Sequence, residues 1–211
     1  MSDPFPVQDN VIYQEMMTHP ALYAHPHPKK IVIIGDNEAG MTKEALHHEQ
    51  VKEVHFLSET TPSALPQDNR ISIYNGKTAA WLNQIPEDTF DILINAGDAN
   101  LELFKDFFKI LHADGIFIQQ SDSPYHLHTL KKLQETIAKA HFSDLHFIIF
   151  PQPNFPSGLR CAIMAKKSGN FRRVREKDIF NKNFSTRYYN LDVHKASLVL
   201  PEFMRKELEA T

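Results

Sequence analysis

Lys29-Lys30-Ile31-Val32-Ile33-Ile34-Gly35-Asp36-Asn37-Glu38-Ala39-Gly40 decides the fold. Four β-branched residues run unbroken from Ile31 to Ile34, the pattern of a strand buried on both faces of a parallel sheet. Gly35 ends the run, small and polar residues with an acid follow, and Gly40 opens a helical segment from Met41 to His48. Strand, tight glycine turn and helix N-terminus make the first βα unit of a nucleotide-binding doubly wound fold. A ligand would sit at that turn.

Upstream, residues 1–10 are polar and proline-bearing and are expected to be loose. Val11, Ile12, Met16 and Met17 recur at helical spacing, so 11–22 reads as a short helix with Pro20 near its end. Pro26-His27-Pro28 then forces an extended entry into the first strand. Downstream, 51–57 alternates as a second strand and 61–69 is a loop. A third strand over 70–74 ends at Asn75-Gly76, with a helix over 77–83. A fourth strand over 90–94 ends at Asn95-Ala96-Gly97-Asp98. A helix over 101–111 stops at Ala113-Asp114-Gly115, a fifth strand covers 116–119, and a helix covers 126–140. Strands over 145–151 and 159–166, joined by a proline-rich connection (Pro153 to Gly158), form an antiparallel pair. The tail from Asp178 ends in a helix over 201–209. Alternating strands and helices with a late hairpin give an α/β fold, mostly parallel with an antiparallel edge hairpin. This is the Rossmann-like architecture of class I S-adenosylmethionine-dependent transferases, in one domain over 11–211.

Composition narrows the function. The 211 residues suffice for one substantial core, and 42% hydrophobic and 23% charged content are ordinary for a globular domain. A net charge of −3 without a basic stripe argues against nucleic acid or a membrane surface as partner. Lys166 to Arg175 reads as a solvated linker. No apolar run approaches the roughly 20 residues that span a bilayer, and the N-terminus lacks a signal-peptide pattern. The single cysteine, Cys161, sits in an apolar run as a buried strand residue; it excludes an internal disulfide and fits a cytoplasmic location. The twelve histidines are scattered, with no ligand set for a metal.

Several blocks, in order, resemble the polyamine aminopropyltransferases, the spermidine synthases. They are Tyr13-Gln14-Glu15-Met16-Met17-Thr18-His19-Pro20-Ala21-Leu22, His25 to Lys30 with the glycine turn, Asp114 to Ser121, Phe155-Pro156-Ser157-Gly158-Leu159, and Arg187-Tyr188-Tyr189-Asn190 through Phe203. The likeness runs from about Val11 to the tail. It implies aminopropyl transfer from decarboxylated S-adenosylmethionine, a co-substrate rather than a permanently bound cofactor, to a diamine such as putrescine. It also implies a homo-oligomer, a dimer in the simplest case. The attacking amine must be unprotonated, so a carboxylate is needed to take or hold off its proton.

The sequence departs from the family at the strand tips. The family's Gly-Gly-Gly-Asp-Gly-Gly turn is here Gly35 to Gly40, with Glu38 where the family aspartate seats the aminopropyl amine; Glu38 reads equally as an acid favoured at a helix N-terminus. The ribose-binding glutamate is replaced by Ser58, with Glu59 one residue on. The adenine-reading Asp-Gly is Asn75-Gly76. The family's general base is Asn95, which has no titrating lone pair, leaving Asp98 as the second, diamine-binding acid. The gate loop is shortened to Ala99-Asn100-Leu101, and the family tyrosine is Phe155. Tyr13 and Gln14 match diamine contacts, although a tyrosine in such a helix also packs. Gln120 and Asp122 read as the loop capping the next helix, Trp81 as core, and Tyr188-Tyr189 as structural. The family's N-terminal β-domain is expected to be missing. These departures predict an impaired aminopropyltransferase working through Asp98; the alternative is a catalytically inert pseudoenzyme acting as a binding or partner subunit.

Overall fold

Alternation along each strand sends side chains to two different helical layers. In a computed structural model describing residues 8–36, 39–60, 65–171 and 174–208, β1 (Lys30–Ile34) turns Ile31 and Ile33 to one face and Val32 and Ile34 to the other. The same division repeats in β4 (Phe90–Asn95), with Ile92 and Ile94 opposed to Leu93. Both faces are covered, which is why the run at 31–34 is apolar without a break. The other strands are β2 (Glu53–Ser58), β3 (Ile71–Asn75), β5 (Leu111–Gln120), β6 (Asp144–Pro151) and β7 (Leu159–Lys166). Their order is β3-β2-β1-β4-β5-β7-β6, parallel through β5, with β7 antiparallel to both β5 and β6. The expected fold is present. The strand order reverses between β1 and β4, which opens a crevice at their C-terminal ends.

One face carries α1 (Gln8–Ala24) and α2 (Ala39–Leu46); the other carries α3 (Thr78–Leu82), α4 (Phe104–Ile110) and α5 (Leu127–Lys139). Helix α1 is longer than expected. It begins inside the segment expected to be loose and continues through Pro20. Proline removes one backbone hydrogen bond there, but Met16, Met17, Ala21, Leu22 and Tyr23 are buried around it and hold the helix. The Glu15 carboxylate, 2% exposed, accepts the N–H groups of Arg187, Tyr188 and Tyr189, at 2.7 to 2.9 Å. This clamps the tail to α1.

The segment expected as one helix over 101–111 is a 3-10 turn, Leu101–Leu103, followed by α4, with the Asn100 side chain accepting from Glu102 N–H. Ala113-Asp114-Gly115 is a bulge rather than a stop: pairing jumps from Phe90–Leu111 to Ile92–Ile116. A side chain at Gly115 would stand 2.8 Å from the His112 carbonyl oxygen, so glycine is required. The tail also holds α6 (Glu176–Phe180) and α7 (Leu191–Ser197), which were not expected, before α8 (Glu202–Leu208).

The basic segment is not a solvated linker where it is described. Lys167 Nζ bonds Asp88 at 2.8 Å and the Leu111 carbonyl at 2.7 Å. Arg175 donates to the carbonyls of Leu22 and His25, pairs with Asp178 and lies over the Tyr23 ring. Nor are all the histidines scattered. His19 Nδ1 is 2.9 Å from His48 Nε2, and Glu44 lies 3.2 Å from both His19 and His47. Among the described residues no set of three or more His, Cys, Asp or Glu is arranged to hold a metal. No described helix is long and apolar enough to cross a membrane. Cys161 is fully buried in β7, and burial pushes its thiol up to about 12; Trp81 packs beneath Phe90.

Candidate active site

The C-terminal ends of the parallel strands bring most of the expected residues to one edge. After β1 the chain turns at Gly35, whose φ of 148° favours a residue without Cβ. Asp36 then reaches across to the end of β2. Its Oδ1 lies 2.6 Å from Ser58 Oγ and accepts the N–H groups of Glu59 and Thr60 at 3.1 and 3.2 Å. These bonds, the one from Ser58 foremost, hold the Asp36 carboxyl below its usual range. Asp36 is therefore the acid that ties the described part of the turn to the end of β2; Glu38 lies outside the described residues. Ser58 Oγ is also 2.6 Å from the Thr60 carbonyl, so its hydroxyl serves the turn.

Two cavities open along this edge. The first, about 430 Å³, is lined by Gly35, Asp36, Ser58, Glu59, Asn95 and Asp98, with Thr78 and Ala79 of α3 and Phe107 of α4. The second, about 450 Å³, is lined by Asp98, Gln120, Ser121, Asp122, Phe155 and Arg160, with Thr129, Lys132 and Leu133 of α5. Gly97 and Asp98 line both. The cavities meet at Asp98, which is exposed and makes no ion pair among the described residues.

A chain of amides fixes that junction. Asn95, 3% exposed, donates Nδ2–H to Gln119 Oε1 at 2.6 Å and accepts Gly97 N–H at 3.2 Å. Gln119 Nε2 donates to the Gly97 carbonyl at 3.1 Å, and Gln120 Nε2 does the same. Tyr13 donates its hydroxyl to Gln120 Oε1 at 2.7 Å, from behind the cavity wall. Asn95 is thus a latch for the peptide that carries Asp98.

Other expected residues stand outside the cavity linings. Gln14 lines neither cavity; its amide packs onto Gly40, where an added Cβ would sit 2.0 Å away. Gly40 serves that helix contact. Asn75 and Gly76 do not line either cavity but end β3 at the edge of the first: Asn75 pairs with Ser58, the Gly76 N–H bonds the Ser58 carbonyl at 3.0 Å, and Lys77 lines the wall. Gln120 and Asp122, expected as a helix cap, line the second cavity instead. The residue capping α5 is His126, without a side-chain cap bond. Burial works to raise the Asp122 carboxyl, but bonds from His126 (2.7 Å) and Ser123 N–H (2.7 Å) hold it below its usual range. Arg160, unremarked in the sequence, stands 4.9 Å over the Phe155 ring and 5.2 Å over that of Tyr13.

The fold and the sequence have known counterparts. The spermine/spermidine synthase domain model matches residues 10–177. The polyamine aminopropyltransferase of Nitrosococcus oceani is 33% identical over 226 residues, covering 97% of this chain and 79% of that protein. The one from Methylococcus capsulatus is 34% identical, covering 93% and 76%. Among solved structures, Thermotoga maritima spermidine synthase superposes with a TM-score of 0.88 at 26% identity, covering 97% of this chain and 76% of that one. A spermidine synthase in complex with the transition-state analogue AdoDATO superposes at 0.89 and 24% identity, covering 97% and 77%. With a matching domain over most of its length and relatives at a third identity, the chain belongs to the spermine/spermidine synthase family.

Proposed function

We propose that the protein transfers the aminopropyl group of decarboxylated S-adenosylmethionine to an amine acceptor, slowly for its family. The observation that carries this reading is the meeting of the two cavities at Gly97 and Asp98. A donor nucleoside in the first and an amine in the second would face each other across Asp98, replacing a bimolecular encounter with a positioned one. The amine lone pair attacks the methylene next to the sulfonium; the C–N bond forms as the C–S bond breaks, and methylthioadenosine leaves as a neutral thioether. The nitrogen becomes an ammonium and must shed a proton, as it must to be nucleophilic at the outset. Asp98 is the carboxylate at the junction for that proton. Asn95 can only orient.

A second reading, an inert relative serving as a binding or partner subunit, is favoured by one observation: the Asn95 amide is engaged at both ends and offers no base. Methylthioadenosine release from the decarboxylated donor plus 1,4-diaminobutane or another amine separates the two. The transfer reading expects release that Asp98→Asn lowers by roughly 10²-fold or more, the scale of a lost general base, with an unchanged circular-dichroism spectrum. Release that is unaffected by this substitution would remove Asp98 from the mechanism, and no release with any amine would favour the inert relative.

A further inference from the structure

The second cavity has two acids and two bases in its lining, a balance that suits a zwitterion better than a bare diamine. A short diamine is a dication near neutral pH and is held best by a carboxylate at each end. Two carboxylates line this cavity, and Asp122 is committed to His126 and Ser123 N–H. Asp98 alone remains, at the junction with the donor cavity. The other charged wall groups are cations, exposed Lys132 on α5 and half-buried Arg160 at the start of β7.

Arg160 is held in place and electrically unmatched. Its Nε donates to the Ser121 carbonyl at 3.2 Å and its Nη1 to Gln152 Oε1 at 3.3 Å, both neutral acceptors. Nη2 makes no hydrogen bond, and no carboxylate lies within 4 Å of the guanidinium, among the described residues. Asp122 feels it only weakly and through space. The Phe155 and Tyr13 rings confine the guanidinium in one orientation. A fixed, half-buried fork with free donors suits the planar carboxylate, which it can grip through two bonds.

We propose that the acceptor is an ω-amino acid, its amine at Asp98 and its carboxylate on Arg160 with Lys132 beside it. This rests on the aminopropyl-transfer reading for its chemistry, but not for its binding. The transfer step is unchanged: the C–N bond forms, the C–S bond breaks, methylthioadenosine leaves and the new ammonium loses one proton. The product is an N-(3-aminopropyl) amino acid.

The test is calorimetric titration of the protein, with and without saturating methylthioadenosine, using 4-aminobutanoate, 5-aminopentanoate and 1,4-diaminobutane. At least one amino acid should bind tenfold or more tighter than the diamine. Arg160→Gln should erase that preference, Arg160→Glu should reverse it, and Arg160→Lys should keep most of it; thermal midpoints report that each variant is folded. Tighter binding of the diamine, no binding of any of the three, or an order untouched by Arg160→Gln in a folded variant would overturn the proposal. Methylthioadenosine release is read in parallel with the decarboxylated donor. Arg160-dependent binding without release sustains the acceptor assignment and sinks the transfer reading. Release with diamine that Arg160→Gln does not slow sustains the transfer reading and sinks the acceptor assignment.

Discussion

Asn95 stands where the resemblance places a base, yet its surroundings suit an amide. Its Nδ2–H faces the Gln119 carbonyl oxygen at 2.6 Å. Asn95→Asp would set a carboxylate against that oxygen unless the Gln119 amide turns over, which would break its bonds to the Gly97 and Gln120 carbonyls. The variant is therefore expected to speed methylthioadenosine release and to cost about 1–3 kcal/mol of stability, the scale of mispaired buried polar groups. For a chain of this size that lowers the thermal midpoint by roughly 2–4 °C per kcal/mol. A faster enzyme with an unchanged midpoint would show that the latch is not under tension. The double variant Asn95→Asp with Gln119→Glu should lose both the gain and more stability, because two carboxylates would then share one contact. Asp36 carries a similar lesson: its position in the described turn is set by its bonds to Ser58, Glu59 and Thr60.

Helix α1 shows how an element can be held by something other than its own periodicity. Glu15, Thr18 and His19 are buried along with its apolar residues, so it has no polar face to give a clear helical stripe. Its stability comes from packing and from the three N–H groups that Glu15 accepts from residues 187–189. Glu15→Ala leaves three backbone donors unbonded near a buried position, and is expected to destabilise by about 3 kcal/mol or more. Urea unfolding measures the loss, and hydrogen exchange should locate it first at Arg187, Tyr188 and Tyr189. Protection unchanged at those three amides would mean that the stacking of Tyr189 on Tyr23, at 5.8 Å and 3°, holds the tail without the carboxylate.

The whole molecule keeps several histidines neutral in its interior. Burial pushes His48 down to about 2 and His194 down to about 4, and it also lowers His25. In the unfolded chain such rings titrate near 6.5. Below that pH the unfolded state takes up protons that the folded state refuses. The stability these rings contribute is present above about pH 6.5 and is lost as pH falls, at ~1.4 kcal/mol per pH unit for each ring. The loss continues towards about pH 4 for His194 and about pH 2 for His48. The thermal midpoint should fall steadily from pH 7 to pH 5, and His48→Gln should flatten the fall; an equal slope in that variant would exclude the ring as a source. The sequence by itself determined the α/β fold, the places where strands end and the family, because burial on two faces, glycine turns and chain-ordered blocks are local patterns. It did not determine which side chains at those strand ends act together. Asp36 meets Ser58 across 22 residues and Tyr13 meets Gln120 across 107. Arg160 turns towards Phe155 and Tyr13, and Gln14 packs away from the cavities onto Gly40. Those partnerships arise only when separate strands and helices are brought side by side, so tertiary packing decided the charge and the shape of the site.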